Sequence, residues 1–167
     1  MIPVSIRPAT RADIAAIDDL LARTYSRLLK ADYPPSILVT ALPHMIKAQP
    51  RLISSGSYYV AETRDKLLGA GGWTSALPGS GGASEPGRAN VRHLVTDASA
   101  LRQGVARAIM NHSFNMALIA GATWMHCLAT RTAVPFYAAL GFETLGEISV
   151  SMGPGVTFPA IEMRRDL

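Results

Sequence analysis

His93-Leu94-Val95-Thr96-Asp97-Ala98-Ser99-Ala100-Leu101-Arg102-Gln103-Gly104-Val105-Ala106 is where the hydrophobic period of the chain changes, and that change decides the fold. Residues 90–96 alternate as a strand, with Val91, His93 and Val95 predicted on one face. After a polar turn, residues 103–120 read as a helix. Val105, Ile109, Met116 and Ile119 line one side, Met110, Phe114 and Leu118 the other, and only Arg107, Asn111 and Asn115 form a polar stripe. A helix apolar over most of its circumference is largely buried. Its first amides lack intrahelical partners and point into the turn, with the positive end of the helix dipole behind them. Small residues at Gly104 and Ala106 let a phosphate come close to that backbone. The turn is thus a candidate diphosphate cradle, although a small residue where strand meets helix explains it equally well.

Working outward, Val4 and Ile6 alternate in a short opening strand that ends at Pro8. Thr10 with Asp13 three residues later reads as a capping box. Ile14, Ile17, Leu21, Leu28 and Leu29 then keep helical spacing until Tyr33-Pro34-Pro35 stops the helix. A second helix is predicted over residues 36–48 with a break near Pro43. Tyr58-Tyr59-Val60-Ala61-Glu62 and Leu67-Leu68-Gly69-Ala70 flank a polar turn as a hairpin, and Gly71-Gly72-Trp73 continues its second strand. Residues 76–88, rich in Gly and Pro, are predicted to form a mobile loop of the kind that often lies over a substrate pocket. On the other side, residues 123–129 read as a central strand and residues 132–140 as a helix ending at Gly141, with strands over 142–151 and 157–165 closing the chain. This order of about seven strands and four helices predicts one α/β (α+β) domain over 1–167, a mixed sheet with helices on both faces.

Composition narrows the classes of function. With 49% apolar and 17% charged residues among 167, the chain is globular. A net charge of +4, with its arginines scattered, leaves no nucleic-acid footprint and better suits a polyanionic small ligand. Cys127 is the only cysteine, so no intrachain disulfide forms; it is expected to be a buried, inert thiol. The most apolar stretch, residues 116–125, is too short to span a bilayer and is broken by Gly121, so the expectation is a soluble, cytoplasmic protein with no membrane partner. No Cys/His cluster has metal-ligand spacing, and no metal is expected.

The second informative segment is Ala133-Val134-Pro135-Phe136-Tyr137-Ala138-Ala139-Leu140-Gly141-Phe142, which sets Tyr137 late on a short helix before a glycine cap. Here the chain resembles the GNAT superfamily of N-acetyltransferases. The family's strand–loop–helix motif, Arg/Gln-x-x-Gly-x-Gly/Ala, is matched by Leu101 to Ala106. Its Ala-x-x-Phe-Tyr-x-x-x-Gly-Phe signature is matched at every defined position by Ala133 to Phe142. The resemblance implies a mostly antiparallel sheet and acetyl-coenzyme A as cosubstrate, with acetyl transfer to a primary amine of a small molecule or peptide. It implies that amides of Arg102, Gln103, Gly104, Val105 and Ala106 hold the pyrophosphate. The strand edge at Leu94, Val95 and Thr96 would pair with the pantetheine arm, one amide there polarising the thioester carbonyl. Tyr137 would protonate the departing thiolate, which suits a phenol of pKa about 10 and a thiol near 8.5. Homodimerisation is a tendency of the family.

Two positions depart from the pattern. Leu101 stands where Arg or Gln is usual, and Thr130 stands where many members carry Asn, leaving one hydroxyl for the cofactor. No carboxylate lies in residues 90–96, so candidates for the general base are His93, His126, Glu62 and Glu85, with His93 preferred because histidine titrates near working pH. Tyr59 and Trp73 are candidates for an aromatic wall of the substrate pocket, His112 is expected to be structural, and Arg107 and Arg131 either meet phosphates or lie in solvent. A non-catalytic acyl-CoA-binding module, or a protein using the Gly104 turn for another nucleotide, fits the same motifs.

Overall fold

The computed structural model describes residues 2–77, 80 and 82–167. Strand β1 (Ser5–Pro8) leads into helix α1 (Ile14–Leu28), which starts through a 3-10 turn at Arg11–Asp13. The predicted capping box forms there: the Thr10 amide donates to Asp13 Oδ2 at 2.7 Å. Helix α2 (Pro35–Met45) contains Pro43 without the predicted break, because its proline lies in the last turn. A single helical turn, α3 (Pro50–Ile53), was not expected.

The hairpin of β2 (Tyr58–Glu62) and β3 (Leu67–Thr74) comes next, then β4 (Arg88–Thr96), α4 (Val105–Ile119), β5 (Trp124–Ala129), α5 (Val134–Ala139), β6 (Glu143–Gly153) and β7 (Val156–Asp166). Within the predicted loop over residues 76–88, Pro78, Gly79 and Gly81 lie outside the described residues. Its flanks are tied across, with Ala76 bridging Ser84 and the Leu77 amide donating to the Ala83 carbonyl at 2.7 Å.

Among the described residues the strands form one sheet in the order β1-β2-β3-β4-β5-β7-β6, antiparallel throughout except between β4 and β5. Alternation in β2 sorts its side chains onto two faces. Tyr58 and Val60 join Ile17, Leu20 and Leu21 of α1, while Ala61 joins Val105 and Ile109 of α4. Each of the three α1 residues is fully buried, a gain of about 1.5–3 kcal/mol per side chain. On the α4 side, Met110 and Phe114 pack with Met125, Tyr137 and Phe142, and Arg165 lies 4.0 Å from the Phe114 ring centre. Helix α2 covers the far strands, where Leu38, Ala41 and Met45 meet Phe158 and Ala160.

Two irregularities in β4 shape the interior of the molecule. Gly72 pairs with Arg92 and Ala70 with Val95, so His93 and Leu94 both stand opposite Gly71. This is a β-bulge, and His93 takes a φ of +45° within it. The bulge breaks the alternation that predicted Val91, His93 and Val95 on one face. The bulge brings β4 close to Gly71, where an added Cβ would stand 2.6 Å from Leu94 Cδ1 and 3.2 Å from Leu94 Cα, so a side chain there would have to displace Leu94. The second irregularity is that β4 and β5 pair only at Arg88–Trp124, Ala89–Met125 and Asn90–His126. Beyond those pairs the strands part, each still held by its outer neighbour.

Candidate active site

The parting of β4 and β5 opens a cavity of about 990 Å³. Its walls are the facing edges, Val91 to Thr96 and Cys127 to Thr130, completed by the turn before α4 and by residues of α1, α2, α5, β6 and β7. Parallel strands that separate in this way leave backbone groups facing the gap, the geometry that receives an extended ligand as an added strand.

The bulge is braced from behind. Tyr25 Oη donates to the Leu94 carbonyl at 2.9 Å, and Tyr58 Oη donates to the His93 carbonyl at 2.8 Å. Both phenols are pushed well above the ordinary value by burial, so they remain donors at every working pH. Sequence reasoning missed both. It chose Tyr59, which alternation places on the opposite face, edge-on to His112 at 4.5 Å. Trp73 Nε1 donates to Tyr59 Oη at 3.3 Å, and neither aromatic lines the large cavity. Both therefore leave the set of pocket residues, and Trp73 instead borders a smaller hollow of about 290 Å³ with Arg88 and Gly121.

At the turn, Arg102 and Gly104 take φ of +59° and +86°, and α4 begins directly after them. Alternating left-handed residues turn successive amides toward one concavity. Leu101, Arg102, Gly104, Val105, Ala106 and Arg107 all line the cavity. Gln103 does not: its side chain donates to the Ser99 carbonyl at 3.3 Å and its carbonyl accepts from Ile2, which turns it away from the cavity. The loop is anchored by Asp97, which accepts from the Ser99 amide and hydroxyl at 2.8 and 2.6 Å and from Arg23 of α1 at 2.6 Å. Burial pushes this carboxyl up, but those bonds prevail and hold it at about 2.

Tyr137 stands late on α5, 6% exposed, and lines the cavity beside Cys127. Burial raises the phenol well above its usual value and the thiol to about 12. Cys127 is therefore a protonated thiol and no nucleophile, although it borders the site. Thr130 lines the same wall. Arg131 is committed elsewhere, to Glu147 at 2.9 Å and over the Tyr33 ring at 5.0 Å.

The base candidates separate clearly. Glu62 pairs with Arg7 and Glu85 with Arg88, and His126 Nε2 lies 2.8 Å from Glu162 Oε2; none of the three lines the cavity. His93 does line it. Burial, then the charge of Arg92, lowers its imidazole to about 4, so the expectation that it titrates near working pH does not hold and it is neutral at pH 7. Thr24, which sequence reasoning passed over, lines the cavity; the residue is 1% exposed, and its Oγ1 has no hydrogen-bond partner among the described residues.

A sequence model of the acetyltransferase (GNAT) domain matches residues 54–144, a span from just before β2 into β6 that contains the bulge, the turn and Tyr137. The chain belongs to the GNAT acetyltransferase family. Solved structures agree over the whole length of this GNAT chain. A GCN5-related N-acetyltransferase from Rhodopseudomonas palustris superposes with a TM-score of 0.74 at 16% identity, covering 100% of this chain and 98% of that one. The PaiA N-acetyltransferase from Thermoplasma acidophilum, in complex with coenzyme A, gives 0.69 at 10% identity over 99% and 100%. A histone acetyltransferase HPA2 and related acetyltransferase from Corynebacterium glutamicum gives 0.64 at 25% identity over 98% and 96%. No curated protein matches this chain by sequence. Among the described residues of the GNAT domain, no cluster of three potential metal ligands occurs and no helix is long and apolar enough to cross a membrane.

Proposed function

We propose that this chain transfers the acetyl group of acetyl-coenzyme A directly to a primary amine, with both substrates held together in the gap between β4 and β5. The observation that carries the reading is the parting of those strands after Asn90 and His126, into a cavity bounded by the Gly104 turn and the Tyr137 phenol.

The residues present suit such a cosubstrate. Amides of the turn, from Arg102 to Ala106 but with Gln103 averted, would take the pyrophosphate, and exposed Arg102 and Arg107 add positive charge. The edge Leu94–Val95–Thr96 would pair with the pantetheine amides, and Thr130 would offer its hydroxyl from the facing wall. An amide of the bulge, fixed by the Tyr25 and Tyr58 braces, would polarise the thioester carbonyl. As the amine nitrogen bonds to the acetyl carbon and the carbon–sulfur bond breaks, Tyr137 would give its phenolic proton to the sulfur. The ammonium would lose one proton to water before it attacks, with neutral His93 able to accept a hydrogen bond along that route, and the proton that nitrogen loses after the attack would return through water to the Tyr137 phenolate. The reaction needs no metal, and the unpaired Cys127 suits a reducing cytoplasm.

Calorimetry of the purified protein with coenzyme A should show one-site binding. Thiol release from acetyl-CoA should then depend on an added amine. Absence of CoA uptake by folded protein overturns the proposal, whereas binding without turnover of any amine would leave an acyl-CoA sensing module.

A further inference from the structure

We infer that the acceptor is a primary amine carrying a carboxylate on an apolar body, and that Arg92 is the residue that receives the carboxylate. The inference rests on the acetyltransferase reading above and adds the class of acceptor to it.

The end of the cavity remote from the Gly104 turn is walled by Leu28, Leu29, Met45, Met152 and Phe158, which offer an acceptor only apolar surface. None of the described residues lining the cavity is Asp or Glu. A polyamine or other polycationic acceptor would bring its second ammonium into this space with no counter-charge, a costly desolvation.

Arg92 brings a positive charge to the same cavity. It lies one residue before the bulge, half-buried, and lines the cavity. Its Nη1 donates to Thr74 Oγ1 at 3.3 Å and its Nη2 to Gln49 Oε1 at 3.1 Å, both neutral acceptors. A guanidinium has five N–H donors, so three remain without a protein acceptor among the described residues. Arg92 has no carboxylate within ion-pair distance among the described residues, although it is partly buried and lines the cavity. Burial lowers its affinity for its proton, the mark of a cation taken out of water without compensation. A planar fork held by Thr74 and Gln49, with donors left over, suits a bidentate carboxylate. Arg102 and Arg107, at the other end, are exposed and lie on the turn that faces phosphate.

The test compares acids with their uncharged counterparts. Thiol release is measured with L-phenylalanine, L-methionine and 6-aminohexanoate against L-phenylalaninamide, L-methioninamide and hexylamine, with spermidine as the polycation. Wild type should favour at least one acid over its counterpart by about tenfold or more in kcat/KM, as expected for one charge-assisted pair. Arg92→Gln should bring that ratio close to one, and Arg92→Lys should restore it only in part, while calorimetric affinity for coenzyme A stays unchanged in both. A binding readout that needs no turnover is the melting temperature of the CoA complex with N-acetyl-L-methionine or with its amide: only the acid should raise it, and not in Arg92→Gln. Equal use of acids and amides, preference for spermidine, unaltered discrimination in Arg92→Gln, or no stabilisation of the CoA complex by the acid each overturns the inference. Failure to bind coenzyme A overturns the acetyltransferase reading itself, and is seen in the calorimetry alone.

Discussion

Tyr137 and Cys127 are neighbouring acids that burial holds in their protonated forms, the thiol raised to about 12 and the phenol well above its usual range. A phenol in this state keeps its proton throughout the physiological range, but burial makes it a weaker acid than the value near 10 expected from the sequence. Tyr137→Phe should therefore lower kcat by about 100-fold, the order of a lost general acid, while CoA affinity by calorimetry stays nearly constant. An unchanged kcat removes the phenol from the reaction. His93 behaves in the opposite sense. Its folded pKa of about 4 lies below the ordinary 6.5, so the folded state binds fewer protons. The stability this confers is complete above pH 6.5 and is lost as pH falls from there through 4, on the order of 3 kcal/mol in all. An imidazole titration followed by NMR should place the midpoint near 4; a midpoint above 6 would show that the ring is not desolvated.

At the scale of elements, the bulge in β4 depends on side chains from two other elements. Tyr25 comes from α1 and Tyr58 from β2, and each holds one carbonyl of the bulge. Tyr25→Phe or Tyr58→Phe should each cost about 1–3 kcal/mol in urea unfolding, because a buried carbonyl is left without its donor. The two losses should be non-additive, since the carbonyls are adjacent and share one backbone conformation. Additive losses, with acetyl-CoA turnover untouched, would mean that the braces serve packing alone. None of this was legible in the sequence, although the elements themselves were, apart from the single turn α3. Ile14, Ile17 and Leu21 gave α1 by their period, and Ala133 to Phe142 gave α5 and its tyrosine. The bulge was hidden because it arises where Gly71 meets Leu94, a long-range pairing that alternation within β4 cannot report. Tyr58 and Tyr59 could be told apart only once α1 and α4 were known to lie on opposite faces. Arg92 was passed over because its significance is a missing partner, and partners are a property of the folded chain.

Across the whole molecule, two buried carboxylates tie α1 to the sheet. Asp13 takes Arg7 at 2.9 Å and Asp97 takes Arg23 at 2.6 Å, and both carboxyls are held at about 2. Their folded pKa values lie below the ordinary 3.8, so their contribution is present above pH 4 and lost as pH falls toward 2. With half-exposed arginines screening the pairs, about 1 kcal/mol each is expected. Melting temperature followed from pH 7 downward should thus fall in two stages, first with His93 and then with these acids. Asp97→Asn should flatten the lower stage, and an unaltered lower stage would show that the pair is thermodynamically silent. Three rungs join β4 to β5, and beyond them the sheet is an unfinished ladder. If the cosubstrate supplies the missing rungs, it acts as a temporary strand of the protein, and amide protons of residues 91–96 and 127–129 exchange more slowly in its presence. Resistance to proteolysis should then rise with the concentration of the acyl donor.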